Sequence, residues 1–238
     1  MGRLHTIEGR KNKQDAARAK IFTKHARAIA VAAREGGIDP TYNASLKTAI
    51  DKAKADNMPN DNIDRAIKKA ADKSSAESYE SYTYEGYGPD GIAVIVEALT
   101  DNKNRTAGNV RHYFDMNGGN LGTNGCVAFM FDRKGQLIIE KTDSLDADKL
   151  MEDVLDADID DVVDEDDCFV VLTSPEDFSG VRDFLEGRGY TFVQAGIDML
   201  PKTYTRLGSG KKQFERMLSM LEDDDDIQNV YHNAEADE

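Results

Sequence analysis

The spacing of apolar residues changes type once along this 238-residue chain, and that change limits the possible folds. Before about residue 72, apolar positions recur every three or four residues, as on one face of a helix. From Tyr82 onward they also form short continuous blocks that are typical of buried strands. The sequence therefore predicts an α+β protein in which a helical segment precedes the sheets.

The helical segment is predicted to form an N-terminal three-helix domain over residues 1–75. The first helix spans 14–35 and is stopped by Gly36-Gly37, the second follows Asp39-Pro40, and the third begins at Pro59. A linker is expected over 73–80. The predicted inward-facing residues are Phe22, Ala26, Ile29, Ala33, Leu46, Ile50, Ala53, Ile63, Ala66, Ile67 and Ala70.

The middle of the chain is predicted to hold an incomplete sheet. Its elements are strands at 82–84 and 92–96, a helix at 106–116 and a strand at 126–131. This ββαβ fragment has too few layers to cover its own sheet. A helix at 211–221 and a strand at 227–231 supply the missing elements. We therefore expect a discontinuous α/β domain made of residues 80–135 and 204–238.

The segment between these two parts is predicted to form an acidic insert domain over 136–203. Strands are expected at 137–139, 159–163, 168–172 and 190–195, with helices at 145–155 and from the capping box at 174–177 to Gly187. The order βαββαβ is the ferredoxin-like arrangement.

Charge is distributed unevenly along the chain, whose formal net charge is −15. Residues 1–75 carry 16 basic and 9 acidic side chains, whereas 136–203 carry 5 and 19. This polarity suggests that the N-terminal domain binds a polyanion while the acidic body is held away from it. The alternative for the acidic body is that its charge only keeps the protein in solution.

The sequence gives no sign of catalysis. The four histidines lie on separate elements without metal-ligand spacing, and Cys126 and Cys168 form no CxxC motif. The glycine-rich stretches 86–91 and 118–122 match no phosphate-binding motif, and the acidic clusters lack EF-hand spacing. We therefore expect a non-enzyme with no catalytic residue, metal, cofactor or small-molecule substrate. No apolar run approaches a membrane span, so a cytoplasmic protein is expected.

Basic residues on the helical segment point to nucleic-acid binding. On the first helix they lie opposite the apolar face and extend over about 30 Å. The third helix carries a second basic face. Lys and Arg neutralise phosphates and release counterions, although a charged outer face can equally be only solvated. The candidate phosphate-binding residues are Arg10, Lys11, Lys13, Lys20, Lys24, Arg27, Arg34, Arg65, Lys68 and Lys69.

The loop 101–106 is a second candidate site, because it joins a buried strand to a helix. Asn104 or Thr106 is the expected cap, and backbone N–H groups at such a helix start can bind an anion. Arg105 would add a bidentate phosphate contact. The alternative is an ordinary capped helix with Arg105 in a salt bridge.

Ordered motifs over nearly the whole chain resemble those of the YebC/PmpR family. They are 20–24 (KIFTK), 32–37 (AAREGG), 57–59 (NMP), 65–67 (RAI), 84–89 (YEGYGP), 100–106 (TDNKNRT), 118–122 (GGNLG), 129–135 (FMFDRKG), 201–203 (PKT) and 230–233 (VYHN). The opening segment departs from the family, since it contains no Trp. The resemblance implies a three-domain cytoplasmic protein. Family members are usually described as DNA-binding transcriptional regulators, a mitochondrial relative is a translational activator, and bacterial relatives have been linked to relief of ribosome stalling.

Three hypotheses follow. In the first, the protein is a transcriptional regulator whose basic helices bind duplex DNA. In the second, it is a ribosome-associated factor that binds ribosomal or transfer RNA and extends a loop such as 117–124. In the third, it is a scaffold whose basic face is idle. Charge does not choose between DNA and RNA, and we expect a monomer.

Overall fold

The computed structural model describes residues 18–71, 79–142 and 145–235, with side chains of the first helix described from Lys20. Its helices are α1 (Arg18–Gly36), α2 (Ala44–Ala55), α3 (Asn60–Ala71), α4 (Lys103–Met116), α5 (Ala147–Leu155), α6 (Phe178–Gly187) and α7 (Lys211–Asp223). Its strands are β1 (Glu80–Tyr87), β2 (Ala93–Thr100), β3 (Asn120–Leu121), β4 (Phe131–Glu140), β5 (Asp161–Asp164), β6 (Cys168–Thr173), β7 (Gln194–Pro201) and β8 (Ile227–His232). Single 3₁₀ turns lie at Pro89–Gly91 and Ala128–Met130. The predicted α+β class is confirmed.

The three N-terminal helices pack around a core that contains Ile29, Leu46 and Ile63. The side chain of Asn43 connects α1 to α2. Its Oδ1 accepts a hydrogen bond from the N–H of Leu46, while its Nδ2 donates to the carbonyls of Ala32 and Gly37. A Cβ at position 36 would lie 2.6 Å from this Nδ2. Gly36, the last residue of α1, therefore also leaves space for the side chain of Asn43.

The first sheet has the order β3-β1-β2-β8, and β8 lies antiparallel to β2. Its core includes Val94, Val96, Phe114, Phe214 and Met217, which belong to β2, α4 and α7. The C-terminal helix and strand therefore pack with the sheet begun by β1 and β2, as a discontinuous domain requires. The domain boundaries themselves stay a prediction.

The second sheet has the order β5-β6-β4-β7. Its helices α5 and α6 contribute Leu150, Val154 and Leu185 to a core that also contains Leu137 of β4 and Phe169 of β6. Strand β6 is antiparallel to both β4 and β5. The element order along the chain is the predicted βαββαβ, with β7 beginning at Gln194 and not at residue 190.

The chain divides into two compact units. One is Ala17–Asp132 with Pro201–Glu238, and the other is Arg133–Leu200. The N-terminal helices and the first sheet thus belong to one unit. Within the ranges described, no helix is long and apolar enough to cross a membrane.

The strand predicted over 126–131 is wrong. Residues 128–130 form a 3₁₀ turn, and a strand begins only at Phe131. The cause is Glu85, whose buried carboxylate accepts hydrogen bonds from the N–H groups of Gly125, Val127 and Ala128 at 2.7, 2.9 and 2.8 Å. Burial raises the pKa of this carboxyl group, but the three hydrogen bonds outweigh burial and lower it overall. Donors used in this way cannot pair with a neighbouring strand.

Candidate nucleic-acid interface

The predicted phosphate-binding residues lie at four places in the chain. Arg10, Lys11 and Lys13 fall outside the described residues. The α1 residues are Lys20, Lys24, Arg27 and Arg34, and the α3 residues are Arg65, Lys68 and Lys69. Asn104 and Arg105 lie in the first turn of α4.

Three cations of α1 contact an acidic segment formed by Glu222–Asp226. The Nζ of Lys20 lies 2.9 Å from Asp223 Oδ1, and the Nζ of Lys24 lies 2.8 Å from the carbonyl oxygen of residue 222. Arg27 Nη1 donates to the carbonyl of residue 225 at 2.6 Å and to Asp226 Oδ1 at 3.0 Å. These side chains therefore bind oxygens of the chain itself, contrary to the expected solvent-facing stripe.

The two lysines of this contact have different electrostatic surroundings. The hydrogen bond to Asp223 raises the pKa of Lys20. Burial lowers the pKa of Lys24, and the nearby carboxylates of Glu222 and Asp224 only partly offset that effect. Lys24 is therefore the desolvated member of the contact, whereas Lys20 stays exposed.

The acidic segment is held from its other side by α4. Asp226, whose side chain is 5% exposed, accepts hydrogen bonds from Arg105, Thr106 and Thr100. Burial raises the pKa of Asp226, but these partners, Arg105 first, outweigh burial and lower it. Asp224 accepts from the Nδ2 of Asn109 and the Oη of Tyr113.

Sequence reasoning missed the acidic segment. The available signal was a run of five consecutive acidic residues between the last predicted helix and the last strand. Helical projection identifies the face of α1 that carries the cations. It does not identify the distant segment that covers that face.

The start of α4 differs from the prediction. The cap is Asn102, whose Oδ1 accepts from the N–H of Arg105 at 3.1 Å, so the expectation of Asn104 or Thr106 is wrong. The side chain of Asn104 is exposed. Arg105 Nη2 lies 2.8 Å from carboxylate oxygens of both Asp101 and Asp226. The structure therefore shows the salt-bridge alternative for Arg105.

Three exposed candidate cations lie together on α3. Arg65, Lys68 and Lys69 are exposed, whereas Ile63, Ala66 and Ala70 of the same helix are buried. The three cations fall within about 100° of arc on the opposite side of the helix. In the part of the chain that the structure describes, Arg65 and Lys68 have no ion pair with a carboxylate. We call Arg65, Lys68 and Lys69 the α3 cationic face.

Among the described residues, no group of three or more His, Cys, Asp or Glu side chains is arranged to hold a metal ion.

Comparison with known proteins gives matches over both parts of the chain. The family model described as the TACO1/YebC protein N-terminal domain matches residues 2–73. The model described as the TACO1/YebC second and third domain matches residues 79–234. The chain belongs to the TACO1/YebC family.

Curated relatives cover the chain from end to end. A protein of Clostridioides difficile is 61% identical over 239 residues, which cover 100% of each chain. A protein of Finegoldia magna is 56% identical over 229 residues, 95% of each chain. Both are named "probable transcriptional regulatory protein". TACO1/YebC relatives are thus described as regulatory and not as enzymes.

A solved structure has a similar fold. The crystal structure of a conserved hypothetical protein from Aquifex aeolicus is 40% identical, with a TM-score of 0.84. The match covers 95% of this chain and 94% of that one.

Proposed function

We propose that this TACO1/YebC protein is a non-enzymatic, nucleic-acid-binding regulator of gene expression that acts in the cytoplasm, and that it is a DNA-binding transcriptional regulator. The names of its relatives support the regulatory role. The observation that carries nucleic-acid binding is the α3 cationic face, because Arg65, Lys68 and Lys69 are exposed together on one side of one helix.

The charge of the surrounding helices favours the same ligand. Residues 18–71 contain 11 Lys and Arg against 6 Asp and Glu in a chain whose formal net charge is −15. Away from the surface of α1 that the acidic segment covers, these helices therefore attract a polyanion, whereas the acidic remainder of the chain repels one. Each phosphate that a cation neutralises releases counterions and contributes about −0.9 to the log–log salt slope for duplex DNA.

A structural role for the same residues must be separated from binding. Lys68 and Lys69 lie in the last turn of α3, where cations stabilise a helix end by about 0.3–1 kcal/mol each. That role predicts a change in stability upon neutralisation and none in nucleic-acid affinity. Binding predicts a large loss of affinity in a protein that remains folded.

The alternative is a translation factor that binds ribosomal or transfer RNA. The exposed loop at residues 122–125 favours it. Glu85 accepts hydrogen bonds from the N–H groups of Gly125, at the end of this loop, and of Val127 and Ala128, which follow it, so that end of the loop has a defined conformation. Such a loop suits insertion into a preformed RNA site, as the second hypothesis requires.

The test is to crosslink the protein to nucleic acid in cells and to sequence the recovered DNA and RNA. The wild type is compared with R65Q/K68Q/K69Q and with the matched variant R111Q/K212Q/R216Q, which removes three exposed cations from α4 and α7. We expect promoter DNA from the wild type and the matched variant, and much less from R65Q/K68Q/K69Q.

Enrichment of ribosomal or transfer RNA in place of promoter DNA would support the translation alternative. Equal recovery of nucleic acid with all three proteins would show that the α3 cationic face does not bind it. Recovery at the level of an uncrosslinked control would contradict nucleic-acid binding altogether.

A further inference from the structure

Lys20, Lys24 and Arg27 form a single row along α1. They are spaced at i, i+4 and i+7, which places them on one side of the helix over a rise of about 11 Å. Among the described residues, the oxygens that they contact belong to the acidic segment, and two of these oxygens are carboxylate oxygens. The other three are backbone carbonyl oxygens. A row of cations that contacts a row of oxygens is also the arrangement by which a helix contacts a phosphate backbone.

We infer that the acidic segment Glu222–Asp226 is an internal competitor for nucleic-acid phosphate on α1. In the free protein the segment occupies the row formed by Lys20, Lys24 and Arg27. Nucleic acid that displaces α1 from the segment gains these three cations as contacts. This inference rests on the proposed function and adds regulation to it.

The contacts between α1 and the acidic segment differ in strength, and the weaker ones permit α1 to be released from the segment. The Lys20–Asp223 pair is exposed on both sides, with side-chain exposures of 48% and 67%. Exposed ion pairs of this kind contribute little to stability and are screened by salt. The row is therefore held most firmly at Arg27, where Asp226 is buried.

The acidic segment keeps its own anchor when α1 is released. Asp224 is hydrogen-bonded to Asn109 and Tyr113, and Asp226 is hydrogen-bonded to Arg105, Thr106 and Thr100. These partners lie on α4 and at the end of β2. Loss of the α1 contacts therefore leaves the segment attached to the first sheet and its helix.

The variant D223N/D225N tests the competition. Both side chains are exposed, and neither takes part in the anchor to α4. The matched variant D115N/E215Q removes the same charge from exposed positions on α4 and α7, where neither side chain takes part in the hydrogen bonds that hold the segment. Binding is measured with a short random-sequence DNA duplex and a single-stranded RNA of equal length, after circular dichroism shows that all proteins are folded.

We expect D223N/D225N to bind about three- to tenfold more tightly than D115N/E215Q at low salt, with a steeper salt dependence. The wild-type slope is shallower because salt also weakens the internal contact. Equal affinities and equal slopes for the two variants, with the wild type still binding, would overturn the competition and leave the proposed function intact. If no protein binds either probe, both proposals fail.

A second measurement separates competition from a general effect of charge. Lys20→Gln is introduced into the wild type and into D223N/D225N. Competition predicts that the substitution weakens binding more in D223N/D225N, because in the wild type it also releases a contact to the segment. An equal loss in the two backgrounds would contradict the inference.

Discussion

Arg27 and Asp226 are 199 residues apart in the chain, yet Arg27 Nη1 lies 3.0 Å from Asp226 Oδ1. The other oxygen of the same carboxylate accepts from Arg105, Thr106 and Thr100. One buried acid thus connects the N-terminal helices to the start of α4 and the end of β2. Its loss should therefore affect more than one element.

The substitution Asp226→Asn should destabilise the protein by about 2 kcal/mol, because it removes the carboxylate that Arg27 contacts and one of the two carboxylates that Arg105 contacts. Urea denaturation monitored by circular dichroism measures the effect. Asp225→Asn is the matched control, since Asp225 is exposed and contacts Arg27 through its backbone carbonyl. If both substitutions lower stability equally, the buried carboxylate does not have the role described.

Stability should decrease in acid. The pKa values of Asp226 and Glu85 are both lowered in the folded protein. A carboxyl group with a lowered folded-state pKa adds stability above its unfolded pKa, about 4, and that stability is lost as pH falls through the folded value. Melting temperatures measured from neutral pH downward should therefore fall below about pH 4. The decline should be smaller for Asp226→Asn, and identical acid profiles would count against this explanation.

Glu85→Gln should loosen the backbone at residues 125–128. The amide offers one oxygen in place of two and directs an NH₂ group toward N–H donors. We therefore expect the free energy of unfolding to fall by about 1–3 kcal/mol. Hydrogen exchange of the Gly125, Val127 and Ala128 amides should become faster. Glu215→Gln, at an exposed position on α7, should leave exchange there unchanged. Protection of these amides in the Glu85 variant would show that another group fixes this backbone.

Asn43→Ala should destabilise the N-terminal helices by about 2 kcal/mol, because it removes a cap and two further hydrogen bonds, to the buried carbonyl of Ala32 and the partly buried carbonyl of Gly37. Asn102→Ala removes the corresponding cap of α4 and should lower the free energy of unfolding by only about 1 kcal/mol. Denaturant midpoints measure both effects. A larger loss at Asn102 would contradict the special role of Asn43.

Local patterns in the sequence predict the elements whose structure depends on near neighbours. The inward residues Ile29, Leu46 and Ile63 are buried, because helical spacing alone determines which side of a helix is apolar. The βαββαβ order likewise follows from apolar blocks and the turns between them. In both cases the information lies within a few residues of the element concerned.

The features that sequence patterns do not predict depend on distant partners. The apolar run 126–131 has the composition of a strand, but the acceptor of its N–H groups is Glu85, about 40 residues earlier. The cations of α1 lie on the predicted side of the helix, but the acidic segment that covers them is about 200 residues away. The charge and the apolar periodicity of a segment follow from that segment alone. Whether its surface is covered also depends on the second segment that packs against it.

The most direct test of nucleic-acid binding by the α3 cationic face is the salt dependence of affinity for a short DNA duplex. Wild type, R65Q/K68Q/K69Q and the matched variant R111Q/K212Q/R216Q are titrated over a range of salt concentrations. Three lost phosphate contacts should make the log–log slope of R65Q/K68Q/K69Q less negative than that of wild type by about 2.7, while the matched variant keeps a slope close to that of wild type. Identical slopes for wild type and R65Q/K68Q/K69Q would contradict the account.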